Sequence, residues 1–255
     1  MKKIIIRVSI VLLVLIILAI IGVGLSIDGL VKRGVETAGP MLTQVQVKLD
    51  SVNLSLFSGA GKMKGLFVGN PTGYKTPSAM QVGVASLALQ PRSVFGDKVI
   101  INSINLQGPE ITFETDLKGN NLSKILSNLQ EATGGTDHDK SQPSGAKSNR
   151  KLQVDDFLIS GAKVNVSVTT LGKSVTLPLP EIHLTALGQG PAGITAAELT
   201  KLVLQEIEKA ASQVASKAVA DLAKDAAGLT KGIGTDAAGA AADKLKGLGG
   251  LLKKN

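Results

Sequence analysis

From Gln44 onward, apolar and polar residues alternate with a period of two. Val45, Val47 and Leu49 interleave with Gln44, Gln46 and Lys48, and Val52, Leu54 and Leu56 continue the pattern. Alternation of this kind marks strands with one buried and one wet face. A turn at Gly59-Ala60-Gly61 leads to a returning strand over Lys62 to Val68, and Gly69-Asn70-Pro71-Thr72-Gly73 is a second turn. Met80 to Leu89 is another strand. Its apolar parity flips between Val84 and Leu87, which predicts a bulge. Lys98 to Thr115 reads as two strands, or one bent strand, broken near Gly108-Pro109. Lys151 to Val168 and Ser174 to Leu187 return to the strand pattern.

Two of these stretches repeat one another. Lys98 through Phe113 aligns without gaps on Lys151 through Val166. Ile101 meets Val154, Ile104 meets Phe157, Leu106 meets Ile159, Gly108 meets Gly161 and Ile111 meets Val164. The unit is strand, glycine bend, strand, and like units extend a sheet.

Elsewhere the period lengthens. In Asn120 to Gln130, Leu122, Ile125, Leu126 and Leu129 share one helical face. Thr195 to Ala227 is a long helix with Leu199, Val203, Ile207, Ala210, Val214 and Ala218 on one side and Lys201, Gln205, Lys209, Ser212 and Ser216 on the other. The apolar side is rich in alanine, which suits close packing on a sheet; a membrane-surface helix is the alternative. Val8 to Leu25 is apolar without interruption and has about the length of a membrane-spanning helix. Lys2, Lys3 and Arg7 precede it, which places the N-terminus in the cytoplasm. The run exceeds the apolar core of a cleavable signal, so an uncleaved anchor is expected, with cleavage near Gly22 and Gly24 as the alternative. Asp28 to Ala38 continues the helix or forms a stalk, ended by Gly39-Pro40. The polar segment from Glu131 to Arg150 has the composition of a disordered linker, and Gly228 to Asn255 that of a flexible basic tail.

Composition narrows the function. The chain has no cysteine, which excludes disulfides, zinc–thiolate sites and thiol nucleophiles. It has one tyrosine and no tryptophan, so its core is aliphatic. The net charge of +8 is partly gathered at the two ends. Such ends attract anionic lipid. Nucleic acid is discounted, because no stacking aromatics are interleaved with the basic residues.

Catalytic chemistry finds no foothold. Of the two histidines, His138 lies in the linker and His183 on the wet face of a strand, beside Glu181 and Thr185. Gly59-Ala60-Gly61-Lys62-Met63 lacks the hydroxyl residue after lysine that a phosphate loop needs. There is no GxSxG elbow, and the acidic residues are dispersed among the strand segments with no clear pair for glycoside chemistry. A non-catalytic protein with no cofactor and no metal site is expected.

The order of segments resembles the N-terminal part of the AsmA-like family of bacterial envelope proteins. The resemblance rests on LFVGNPTGY (66–74), MQVGVASLAL (80–89), VIINSINLQGPEITF (99–113) and GNNLSKIL (119–126), and covers roughly residues 4 to 187. LFVGNPTGY alone would also suit the late-embryogenesis-abundant type 2 sandwich; the later segments favour the AsmA reading. The resemblance implies an inner-membrane anchor, a periplasmic body and an apolar-lined sheet that handles phospholipid. This chain is too short to bridge an envelope: strands rise about 3.3 Å per residue and stack about 4.8 Å apart. It suits a local lipid-holding module or an accessory to other envelope proteins.

The expected fold is therefore α+β: an N-terminal transmembrane helix, a curved and mostly antiparallel sheet, and a long Ala-rich C-terminal helix. The divisions are an anchor over 1–27, a β-rich module with a short helix over 28–129, a linker over 130–150, more sheet over 151–190, a helix over 191–227 and a tail over 228–255. Val82, Val84, Leu87, Leu89, Ile101, Ile104, Leu106, Ile111 and Phe113 are the candidates to line a lipid groove or fill the core. Membrane lipid is the expected partner, and Val84→Asp is expected to abolish its binding. A ligand-free scaffold is the alternative.

Overall fold

A computed structural model describes residues 27–116, 119–133, 150–169 and 173–230. The predicted span Val8 to Leu25 lies outside the described residues, as do most of the linker and the tail. Among the described residues no helix is long and apolar enough to cross a membrane. The fold is α+β. Helix α1 (27–43) precedes strands β1 (Val47–Lys48), β2 (Ser51–Leu54), β3 (Ala60–Gly69) and β4 (Ser78–Leu89). A 3-10 turn (Pro91–Phe95) leads to β5 (Lys98–Gln107), β6 (Glu110–Thr115) and helix α2 (Asn121–Ala132). Then come β7 (Lys151–Ser160), β8 (Lys163–Val168), β9 (Lys173–Pro178), β10 (Ile182–Leu187) and helix α3 (Ala196–Thr230).

All ten strands join one sheet, so the linker interrupts the chain but not the sheet. The repeat is the seam. β5 pairs with β7, and β6 with β8, in parallel, placing Ile101 on Val154, Ile104 on Phe157, Leu106 on Ile159 and Ile111 on Val164. These are the partners of the gapless alignment. Gly108 and Gly161 stack at the bend with φ of 58° and 63°, the left-handed region that glycine enters without penalty. The ladder passes through the bend by Gly108 N–H to the Ser160 carbonyl (2.8 Å) and Lys163 N–H to the Pro109 carbonyl (3.0 Å). The sheet is thus mixed: the seam is parallel, and the other pairings of named strands are antiparallel.

One line of bends crosses the whole sheet. A regular strand alternates its faces, but here each strand turns two successive residues outward at the same level. The pairs are Asp50-Ser51, Lys64-Gly65, Gly83-Val84, Gln107-Gly108, Ser160-Gly161 and Pro180-Glu181. The residues flanking them face inward: Leu49 and Val52, Met63 and Leu66, Val82 and Ala85, Leu106 and Pro109, Ile159 and Ala162, Leu179 and Ile182. Because neighbours flip together, pairing survives on both sides of the line. No strand carries an extra residue at this line, so the flips are not bulges; shared by neighbouring strands, they crease the sheet into a half-barrel. The parity change in β4 falls at Gly83-Val84 rather than between Val84 and Leu87, and the bulge predicted there is absent: Val84 to Leu87 pair one to one with Lys64 to Gly61.

A second flip lies further along. Ile101 and Ile104 face inward around Asn102-Ser103, and Val154 and Phe157 around Asp155-Asp156. Here β5 carries one residue more than β4, so the register shifts between Ala88 and Leu89.

The helices close the inner face and one edge. α2 packs on β6 and α3, and α3 packs on β6, β8 and β10. Leu122, Ile125, Leu129, Ile207, Ala211 and Ala215 are buried with the sheet. Each buried Leu or Ile contributes about 1.5–3 kcal/mol; the alanines contribute mainly by letting α3 approach closely. α1 covers the β1–β2 edge through residues four apart on one face. Asp28 accepts from Leu54 N–H (2.8 Å), Lys32 donates to the Asp50 carbonyl (2.9 Å) and Glu36 accepts from Leu49 N–H (3.1 Å). These contacts occupy groups that would otherwise invite another strand. The sequence reading ended this helix at Gly39-Pro40, yet it continues to residue 43. Proline removes only its own N–H, and Gln44 N–H closes the last turn on the Pro40 carbonyl at 2.9 Å.

Candidate functional site

The inner face of the half-barrel differs on the two sides of the crease. On the side of β6, β8 and β9, under α2 and α3, Ile111, Phe113, Val164, Val166 and Val168 are fully buried. On the other side, Val154, Phe157 and Ile159 of β7 are buried, but the neighbouring strands are less covered. Leu54, Met63, Leu87, Leu89, Ile101 and Ile104 form an aliphatic strip that is only half-buried. Gly61 makes room for it: a Cβ there would lie 2.4 Å from Leu54 Cδ2 and 2.8 Å from Leu87 Cγ.

The nine candidate positions divide accordingly. Val82, Leu106, Ile111 and Phe113 are core. Leu87, Leu89, Ile101 and Ile104 belong to the half-open strip. Val84 belongs to neither. It sits in an outward pair, 36% exposed, in register with Lys64 and Gln107. Counting alternation along β4 put Val84 on the same face as Val82; the crease at Gly83 breaks that count.

Sequence reasoning missed a buried polar cluster. Glu114 on β6 is 1% exposed. Its carboxylate accepts from Lys75 N–H (2.7 Å), Thr76 N–H (2.8 Å) and the Thr76 hydroxyl. Asn121 at the start of α2 accepts from Glu114 N–H (2.9 Å) and donates to Asn70 Oδ1 (2.7 Å) and the Thr112 carbonyl (2.8 Å). The NPTGY turn is thereby bolted to β6 and α2. Tyr74 lies in the same turn. Burial, followed by the charges of Asp116 and Glu114, raises its phenol above the usual range. Three donors on one carboxylate satisfy it in place, which is the signature of a structural clamp. The one available signal was Asn-Pro in a turn followed later by Asn at a helix start.

Other polar groups offer less. His183 Nε2 meets Asp156 Oδ1 at 2.5 Å across β10 and β7, with both side chains about half exposed. No cluster of metal-ligating side chains occurs among the described residues. Along the crease, residues of both parities, among them Asp50, Gly65, Leu66, Val82 and Gly83, line an open notch of ≈ 370 Å³.

Three comparisons were made, with protein-family models, curated proteins and solved structures. None finds a match. The site therefore stands on its own geometry: a curved aliphatic surface, closed on one side of the crease and half-open on the other.

Proposed function

We propose that this is a membrane-anchored envelope protein that holds a lipid acyl chain against its half-barrel, as an accessory of AsmA-like type. The observation that carries this is the strip of Leu54, Met63, Leu87, Leu89, Ile101 and Ile104, which is aliphatic, continuous and half-buried beside a sealed core. Exposed apolar surface gathered in a concave place, rather than scattered, marks a binding surface. The anchor, from the Val8 to Leu25 run, holds the body at the membrane from which lipid is drawn.

Native mass spectrometry of the full chain, released from gentle detergent, tests this. Near-stoichiometric phospholipid is expected. Ile104→Glu, a charge in the strip, is expected to remove it, while Val84→Asp, on the convex face, leaves it in place. A folded Ile104→Glu protein that keeps its lipid would show the lipid to be bound elsewhere. A lipid-free wild type favours the second reading, a closed scaffold. Complete burial of Ile111, Phe113, Val154, Ile159 and Val164 supports that reading for the rest of the inner face.

A further inference from the structure

At the end of the half-barrel where the strip opens, several separate segments meet. The β2–β3 turn carries Phe57 and the 3-10 turn after β4 carries Phe95; their rings are 80% and 82% exposed. The two turns are joined by Leu89 N–H to the Gly59 carbonyl at 2.8 Å. Gly59 is packed against Pro91 so closely that a Cβ would lie 3.2 Å from the proline Cδ. Phe57 and Phe95 therefore project from adjacent, mutually braced turns. Leu30, 71% exposed, stands on the first described turn of α1. That turn is tied to the same end by Asp28, which accepts from Leu54 N–H.

Cations flank the Phe95 turn. Arg92 is exposed, and Arg150 Nη1 donates to the Val94 carbonyl at 2.6 Å, holding its guanidinium against the Phe95 turn. Lys98 Nζ donates to Gln153 Oε1 (2.7 Å) and the Gly190 carbonyl (2.9 Å). Of the acidic groups here, Asp28 is committed to Leu54 and Glu198 to Thr195, while Asp97 is exposed.

We infer that this end is a membrane-docking surface, with Phe57 and Phe95 inserting into the lipid interface and Arg92 and Arg150 facing anionic headgroups. What fixes the occupant is the chain itself. Ile27 begins the described structure at this end, immediately after the apolar run that ends at Leu25. This inference rests on the proposed anchor: with Val8 to Leu25 in the bilayer, too little chain separates Leu25 from Ile27 to carry this end away from the surface. Exposed aromatic side chains flanked by cations suit the interface, where apolar side chains penetrate about 5–10 Å. The opposite end, the 70–77 turn, carries Thr72 and Lys75 exposed and is clamped by Glu114. Docking of this end does not require the groove to hold lipid.

The chain has no tryptophan, so single substitutions report their own surroundings. Phe57→Trp, Phe95→Trp and Thr72→Trp are made in the full chain and reconstituted in vesicles of phosphatidylethanolamine and phosphatidylglycerol, with acyl chains brominated or not. All three positions are solvent-exposed, so the fold tolerates the changes. Trp at 57 and 95 is expected to emit to the blue of Trp at 72 and to be quenched several-fold more by brominated chains. Equal, solvent-like emission from all three overturns the proposal. The groove has its own readout in the mass spectrum. Quenched tips with a lipid-free mass leave docking standing and remove lipid holding. A lipid-loaded protein with unquenched tips does the reverse.

Discussion

On one side of the crease the inner face ends in a sealed core; on the other the same kind of strand ends in a half-open strip. Both sides use aliphatic side chains at alternate positions, and both belong to one ladder. The difference comes from what covers them. α2 lies over β6, and α3 packs on β6 and β8, with its Ala211 and Ala215 fully buried. Among the described residues no helix packs as closely on β4 or β5, and Leu87, Leu89, Ile101 and Ile104 stay half-buried. A sheet face alone does not decide whether it is core or groove; the geometry of its lid does.

The comparison breaks most sharply by truncation. Phe113→Ala, on the sealed side, leaves a cavity that close-packed neighbours cannot fill, and is expected to cost about 3–5 kcal/mol. Ile104→Ala, on the half-open side, removes a side chain already partly in solvent, and is expected to cost about 1–2 kcal/mol, below the usual core range. Urea unfolding of both variants checks this. Equal costs would mean that the strip is as closed as the core.

The clamp on the NPTGY turn comes next. Glu114→Ala strands the Lys75 and Thr76 amides, and about 3 kcal/mol is expected to be lost, since bonds to a charged group contribute about 1.5–3 kcal/mol and unmet buried donors add to that. Glu114→Gln keeps one accepting oxygen and is expected to lose roughly half as much. Little change in the Ala variant would place Glu114 in contact with water.

The crease itself yields a smaller effect. Gly108→Ala and Gly161→Ala each force an alanine to a left-handed φ, at a cost of about 1–2 kcal/mol. A Cβ at Gly161 would meet Gly108 Cα at 3.9 Å, an ordinary contact, so the strain is conformational rather than steric. The two glycines are neighbours, where additivity commonly fails by about 0.5–3 kcal/mol, so the double variant measures how far the bends are coupled. A strongly non-additive result would mean that the bends relax together.

How much of this was legible in the sequence varies by region. The repeat was, down to the register, because parallel stacking of equal units places residue on like residue and a gapless alignment is the same statement. The strand pattern and both amphipathic helices were also legible, since period survives in any environment. The crease was not: one parity flip was visible in β4, but six in line require knowing which strands are neighbours. Val84 was misplaced for that reason. Glu114 was missed because a carboxylate in a strand reads as the wet face until Thr76 and Asn121, distant in sequence, are brought to it. The α1 contacts were hidden likewise: Asp28, Lys32 and Glu36 look like an ordinary charged helix face until the β1–β2 edge lies against them.

The smallest effect concerns how the lid begins. Thr195 and Glu198 form a reciprocal cap at the start of α3. Thr195 N–H and its hydroxyl donate to Glu198 Oε2 (2.7 and 2.8 Å), and Glu198 N–H donates to Thr195 Oγ1 (3.1 Å). These bonds hold the Glu198 carboxyl below the usual range, the backbone bond most of all, helped by Lys151 and Lys201. The folded value lies below the unfolded one, so the stabilisation is complete above the ordinary glutamate pKa and fades as pH falls through the folded value. Glu198→Ala is expected to cost about 0.5 kcal/mol near neutrality, the scale of an exposed charge at a helix N-terminus, and the gap to wild type should close in acid. Thermal unfolding across that range reads it. Loss of the cap should also loosen the first turn of α3 and speed hydrogen exchange at Leu199 and Val203 while leaving Ile207 and Ala211 protected. Equal loosening along the whole helix would show that α3 moves as one piece rather than fraying from its capped end.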